Sequence, residues 1–160
     1  MATRPEAELL AELLERISEA LVLDATVEVR ERDGVLEGAL RGEDLGLFIG
    51  RHGQTIDAVQ YLAQRAVATL TGEQRRVVVD AEGYRARRRE ALERQGDEAA
   101  DAAISCGRPV ALDAMTAGER RLVHEYLRER ADVDTHSEGE DPGRHLVVTP
   151  VAQESRTFHV

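Results

Sequence analysis

Apolar residues at Leu9, Leu10, Leu13, Leu14, Ile17 and Leu21 recur at helical spacing and predict an amphipathic helix. Thr3-Arg4-Pro5-Glu6 predicts its start, with Thr as cap, Pro in the first turn and Glu three residues after the cap. The period then changes to two. Thr26 to Arg32 alternates, Val35 to Leu40 follows, and Asp33-Gly34 between them predicts a hairpin. The short apolar run Leu45 to Ile49 stops abruptly at Gly50-Arg51-His52-Gly53. Ile56, Val59, Ala63, Ala66, Val67 and Leu70 then mark one face of a second helix, which Thr71-Gly72 ends. Arg75 to Asp80 is a β-branched strand. The order predicts an α+β unit, a three-stranded sheet with helices on one face.

From Tyr84 to about Ser105 the pattern is helical but thinly apolar, on Leu92, Ala99, Ala103 and Ile104. Such a helix suits a bridge between domains, held by pairs such as Glu90 with Arg94. After Gly107-Arg108-Pro109 comes a short strand to Leu112, a helix from about Thr116 to Arg130, and strands near Val133 to Ser137 and Arg144 to Thr149. The expected organisation is a first domain at 1–81, a bridging helix at 82–106, a small α+β domain at 107–150 and a frayed C-terminal tail at 151–160.

Composition narrows what this organisation can do. With 42% hydrophobic and 32% charged residues, the 160-residue chain has the make-up of a globular protein. One cysteine, Cys106, excludes an internal disulfide and fits a reducing compartment. No signal-like or membrane-spanning segment is apparent, so a cytoplasmic protein is expected. The net charge of −10 opposes nucleic-acid binding. Residues 1–80 hold 9 Arg against 15 acids (−6), and residues 81–160 hold 12 Arg against 16 (−4). Every basic residue is Arg, which meets phosphate with a planar fork. Only 3% of residues are aromatic and Trp is absent, so base-stacking platforms are scarce. Any nucleic-acid site must rest on local arginines and backbone amides.

Gly50 to Gly53 offers such a site. Two glycines allow a tight turn and the approach of a ligand to backbone. The amides and dipole of the following helix favour an anion there, and Arg51 and His52 add donors. An isolated G-x-x-G is also an ordinary turn between helices. The hairpin before it, the apolar stub, the amphipathic helix and the closing strand form the setting in which KH domains clamp about four nucleotides of single-stranded RNA. The run Gly46-Leu-Phe-Ile-Gly-Arg-His-Gly-Gln-Thr-Ile-Asp-Ala-Val-Gln-Tyr-Leu62 resembles the KH core of the bacterial Jag family, also called KhpB. So does Val77-Val-Val-Asp-Ala-Glu-Gly-Tyr-Arg-Ala-Arg-Arg89. The resemblance implies RNA contacts at Ile49, Gly50, Arg51, His52, Gly53 and Gln54.

Farther on, Arg120 and His124 stand four apart on the helix Gly118 to Leu127. Stepping 100° per residue from Arg120 places His124, Arg128 and Arg121 within a quarter-turn, with Leu122, Val123, Tyr126 and Leu127 read as the far side. The expectation is an outward basic face, although an ordinary solvated face gives the same pattern. With the following Thr135-His-Ser-Glu-Gly-Glu-Asp-Pro-Gly-Arg144, Arg120 and His124 resemble the R-three-H domain that follows KH in the Jag family. The resemblance implies nucleic-acid contacts at Arg120 and His124, and less directly at Arg121. It implies, as an expectation, a short form without the family's N-terminal domain. It also implies RNA regulation linked to cell division and envelope growth, a small KH-domain protein partner and an association with the membrane-protein insertase.

Arg85, Arg87, Arg88 and Arg89 form the densest basic run. Arg85, Arg88 and Arg89 would extend a phosphate track, or else coat a solvated helix, and the sequence leaves both open. His52, His124, His136, His145 and His159 lack ligand spacing, so no metal or cofactor is expected. Cys106 reads as an inert small residue, and Glu138 and Glu140 as caps of a turn. No enzyme motif stands out. The expected function is single-stranded RNA binding without catalysis. A protein-interaction adaptor is the main rival, and a nuclease or nucleotide hydrolase the third reading.

Overall fold

A computed structural model describes residues 5–151, so the Thr3 cap, His159 and nearly all of the tail lie outside the described residues. The chain divides into two compact units, Met1–Arg85 and Ala86–Val160.

The first unit comprises α1 (Pro5–Ala20), β1 (Ala25–Arg32), β2 (Val35–Gly42), α2 (Gly46–Ile49), a 3-10 turn at Arg51–Gly53, α3 (Gln54–Thr71) and β3 (Val77–Ala81). The hairpin forms at Asp33 and Gly34, both at positive φ (50° and 76°), the twist that two-residue hairpins need. β2 lies central, antiparallel to β1 and parallel to β3. Leu36, Gly38 and Leu40 stand opposite Val77, Val79 and Ala81, so one face of the sheet is continuously buried. Leu10 and Leu14 of α1, Phe48 of α2, and Ile56, Val59, Ala63 and Val67 of α3 complete that core. Leu70, expected from its spacing to share the buried face, is half exposed near the end of α3.

Gly38 lets α1 lie against β2, since a Cβ there would come within 2.6 Å of Leu14 Cδ1 and 3.1 Å of Leu10 Cδ2. Overpacking this contact with Gly38→Val is expected to destabilise the unit by about 1–3 kcal/mol, measurable by chemical denaturation. At the outer edge of β3, side chains satisfy the backbone. Val79 N–H donates to Gln60 Oε1 (2.9 Å), Ala81 N–H donates to Asp80 Oδ1 (2.9 Å), and Val79 O accepts from Arg85 Nε (2.7 Å).

The second unit contains most of α4 (Tyr84–Cys106), then β4 (Val110–Ala111), α5 (Ala117–Leu127), β5 (Val133–Glu138) and β6 (His145–Pro150). β6 is central and antiparallel to both neighbours. Leu92, Ala99, Ala100 and Ala103 of α4 join Met115, Val123, Leu127, Val133, Leu146 and Val148 in one core. The thin apolar side of α4 is therefore a core face built of small residues, while Ile104 is exposed. Gly96 brings α4 close to α5, a Cβ there lying 3.2 Å from Val123 Cγ1. Thr116 caps α5 in a full capping box with Glu119.

Arg130 anchors the end of this helical region. It donates to Asp132 Oδ1 (3.1 Å) and to Asp101 Oδ1 (2.9 Å), and Tyr126 Oη donates to Asp97 Oδ2 (2.8 Å). The Arg130 hydrogen bond, reinforced by its charge, holds the Asp132 carboxyl below the usual carboxylate range. Its lowered pKa stabilises the fold above the unfolded carboxylate pKa of about 4. That contribution disappears as pH falls through the lowered value. Asp132→Asn should therefore lower the melting temperature slightly at neutral pH and converge on wild type below about pH 4, flattening the acid limb of the profile.

Candidate nucleic-acid interface

The Gly50–Gly53 loop is built from unusual backbone. Gly50 adopts φ 73°, ψ 174°, His52 φ 53° and Gly53 φ 78°, ψ 14°. A Cβ on Gly50 would sit 2.2 Å from Thr55 Oγ1 and 2.8 Å from the Thr55 amide nitrogen. Only glycine fits, for conformation and for space. Three amides of the segment are used internally. Gly50 N–H donates to Gly46 O (2.8 Å), Gly53 N–H to Gly50 O (3.2 Å) and Gln54 N–H to Arg51 O. The glycine amides thus hold the turn. What the turn presents is the start of α3, whose cap residue Gly53 contributes no side-chain hydrogen bond.

Arg51 and Gln54 are exposed, and among the described residues Arg51 has no ion-pair partner. His52 is half-buried, and Ile49 is half-buried against the core. The loop therefore gathers an exposed guanidinium, an imidazole and a helix start without a side-chain cap beside an apolar residue. Such a group can receive a phosphate and the face of a base.

The candidate arginines at the start of α4 are differently employed. Arg85 donates to Val79 O, Asp57 Oδ1 (2.8 Å) and Gln60 Oε1 (3.0 Å). Within the second unit, Arg88 donates to Glu119 (2.7 Å) and Arg89 to Glu93 (2.8 Å). Each of these three guanidiniums answers a carboxylate.

On α5 the faces differ from the sequence expectation. Arg120 is 7% exposed and lies on the buried side with Val123 and Leu127. Helical stepping at about 100° per residue puts Leu127 only about 20° from Arg120, nearer than His124 at about 40°, so the apolar side and the motif side coincide. A buried guanidinium needs partners. Arg120 Nη1 donates to Met115 O (2.7 Å), with Asp141 Oδ1 at 3.4 Å. His124 Nδ1 pairs with Thr135 Oγ1 of β5. Arg121 is the outward cation, paired with Glu125 one turn on (2.8 Å), whose carboxyl it lowers below the usual range. Arg121→Ala is expected to leave the thermal unfolding midpoint unchanged, because exposed i,i+4 pairs contribute little.

Sequence reasoning missed two partners. Tyr84 lies against Gly53 and Thr135 against His124, and nothing in their local sequence signals contacts made so far along the chain.

A mixed three-stranded sheet with a glycine loop opening α3, followed by a second α+β unit carrying Arg120 and His124, defines a KH domain followed by an R-three-H domain. Family comparison agrees: residues 7–80 match the KH domain of KhpA/KhpB, and residues 90–150 match the R-three-H domain. The chain is 36% identical over 140 residues to the RNA-binding protein KhpB of Clostridium symbiosum. It is 34% identical over 138 residues to the RNA-binding protein KhpB of Bacillus subtilis. These alignments cover 86% and 85% of this chain but 63% and 66% of the relatives, so it spans somewhat less than two thirds of their length. The chain thus carries the KhpA/KhpB KH domain and an R-three-H domain, and over most of its length it is similar to the KhpB proteins.

Proposed function

We propose that the protein binds single-stranded RNA, without catalysis, by seating a phosphate at the start of α3. The reading rests on one observation above all: Arg51, exposed and without an ion-pair partner among the described residues, stands on a glycine turn at a helix start that has no side-chain cap. Ile49, His52 and Gln54 line the same place, and the relatives' printed name, RNA-binding protein, supports it. In the R-three-H domain, His124 and Arg121 would touch the strand, while Arg120 holds the frame behind them. The role follows as post-transcriptional regulation in the cytoplasm, linked to cell division and envelope growth.

Fluorescence anisotropy with a short labelled single-stranded RNA over a salt series tests this reading. Affinity should fall with salt at a log–log slope of about −0.7 per neutralised phosphate. Arg51→Glu should weaken binding and make the slope shallower. Binding unaffected by Gly50→Asp combined with Gly53→Asp would refute it.

A protein partner is a second reading, favoured by neighbouring exposed apolar side chains on α3, Tyr61 (64% exposed) and Leu62 (56%). A small KH-domain protein is the proposed occupant, and Tyr61→Ser with Leu62→Ser should abolish co-purification with it. The membrane-protein insertase is the other partner of this adaptor reading. Among the described residues no helix is long and apolar enough to cross a membrane.

A further inference from the structure

We propose that Tyr84 and Arg85, at the first turn of α4, are positioning residues for the Gly50–Gly53 loop, setting its pose and its charge without touching RNA. The inference rests on the reading that this loop binds RNA.

Gly53 is buried, and the Tyr84 ring lies directly against it. A Cβ there would meet Tyr84 Cε1 at 2.9 Å and Oη at 3.0 Å. The ring is thus the floor under the residue that caps α3. Arg85 acts one step along the same helix. Its guanidinium reaches Asp57 Oδ1 (2.8 Å), Gln60 Oε1 (3.0 Å) and Val79 O (2.7 Å), and its own amide donates to Asp80 Oδ1 (3.1 Å). The first two turns of α3 are bolted to β3 through one side chain.

Electrostatics gives this bolt a second purpose. Asp57 stands in the first turn of α3, where its carboxylate is favoured by the helix but repels an incoming phosphate. Pairing with Arg85 cancels that repulsion locally. Arg85 serves RNA by neutralising Asp57, and Tyr84 serves it by fixing Gly53.

The experiment uses the full chain, with circular dichroism to verify that each variant is folded. Aromatic ring current should displace the Gly53 Hα resonances; Tyr84→Phe should keep the displacement and Tyr84→Leu should abolish it. In RNA anisotropy, Tyr84→Phe should bind as wild type and Tyr84→Leu about tenfold more weakly, through lost preorganisation. Arg85→Ala should also lose about tenfold, and adding Asp57→Asn should restore most of it. Four results would overturn the proposal. Undisplaced Gly53 resonances in the wild type or wild-type affinity in Tyr84→Leu would remove the role of the ring. An Arg85→Ala defect that Asp57→Asn leaves untouched, with a salt slope shallower by about 0.7, would make Arg85 a direct phosphate contact. Wild-type protein that fails to bind RNA while Gly53 remains displaced would sink the RNA reading and with it the RNA role of both residues, leaving only their hold on the loop.

Discussion

Gly50→Ala should reduce RNA affinity at least about tenfold and cost roughly 1–3 kcal/mol of stability. The backbone at Gly50, φ 73° and ψ 174°, falls in a region that residues with a Cβ scarcely enter. The added methyl also meets the amide nitrogen and Oγ1 of Thr55, the second residue of α3, within 2.8 Å. Backbone cannot yield as a flexible side chain does. The loop must therefore rearrange, and the start of α3 moves with it. A denaturant titration reads the loss of stability and anisotropy the loss of affinity. Retention of both would show that the turn tolerates a different shape.

Arg120→Ala should be the most damaging change in the R-three-H domain, lowering its stability by roughly 2–3 kcal/mol. The guanidinium satisfies Met115 O, and the Met115 amide in turn donates to Arg144 O at the head of β6 (3.2 Å). Removing it orphans a carbonyl beside a 6%-exposed methionine and empties the space its aliphatic stem fills. For a domain of this size the melting midpoint should drop by about 10–20 °C. Arg120→Lys should recover little of it, because one ammonium lacks the fork's reach. If Arg120→Ala instead weakens RNA binding at an unchanged melting midpoint, the side chain is a ligand contact and not part of the frame.

The elements of both units were largely legible in the sequence because their periods are clean. Leu10 and Leu14 repeat at four, Leu36 and Leu40 flank Gly38 at two, and Asp33-Gly34 states its own turn. The glycine loop was legible too, since its chemistry is local. The site's fine structure was not. Arg120 carries a charge and so reads as surface, yet its long stem and its bond to the Met115 carbonyl keep it inside. Arg85, Arg88 and Arg89 read as a basic run, but each is answered by an acid, at separations of 28, 31 and 4 residues. The two distant acids come near only through the fold. The direction of the glycine amides, inward to the Gly46 and Gly50 carbonyls, follows from dihedral angles that the residue names permit without dictating.

The sealed edge of β3 bears on how the protein behaves when crowded. A bare strand edge recruits strands from other molecules and seeds aggregates. At Val79 and Ala81 the outward donors already hold Gln60 and Asp80, and the outward carbonyl of Val79 holds Arg85. An intruding strand that paired with this stretch would have to displace these side chains from Val79 and Ala81. Gln60→Leu, which frees one donor and adds an apolar surface, should turn a well-behaved solution turbid on concentration while the native core stays intact.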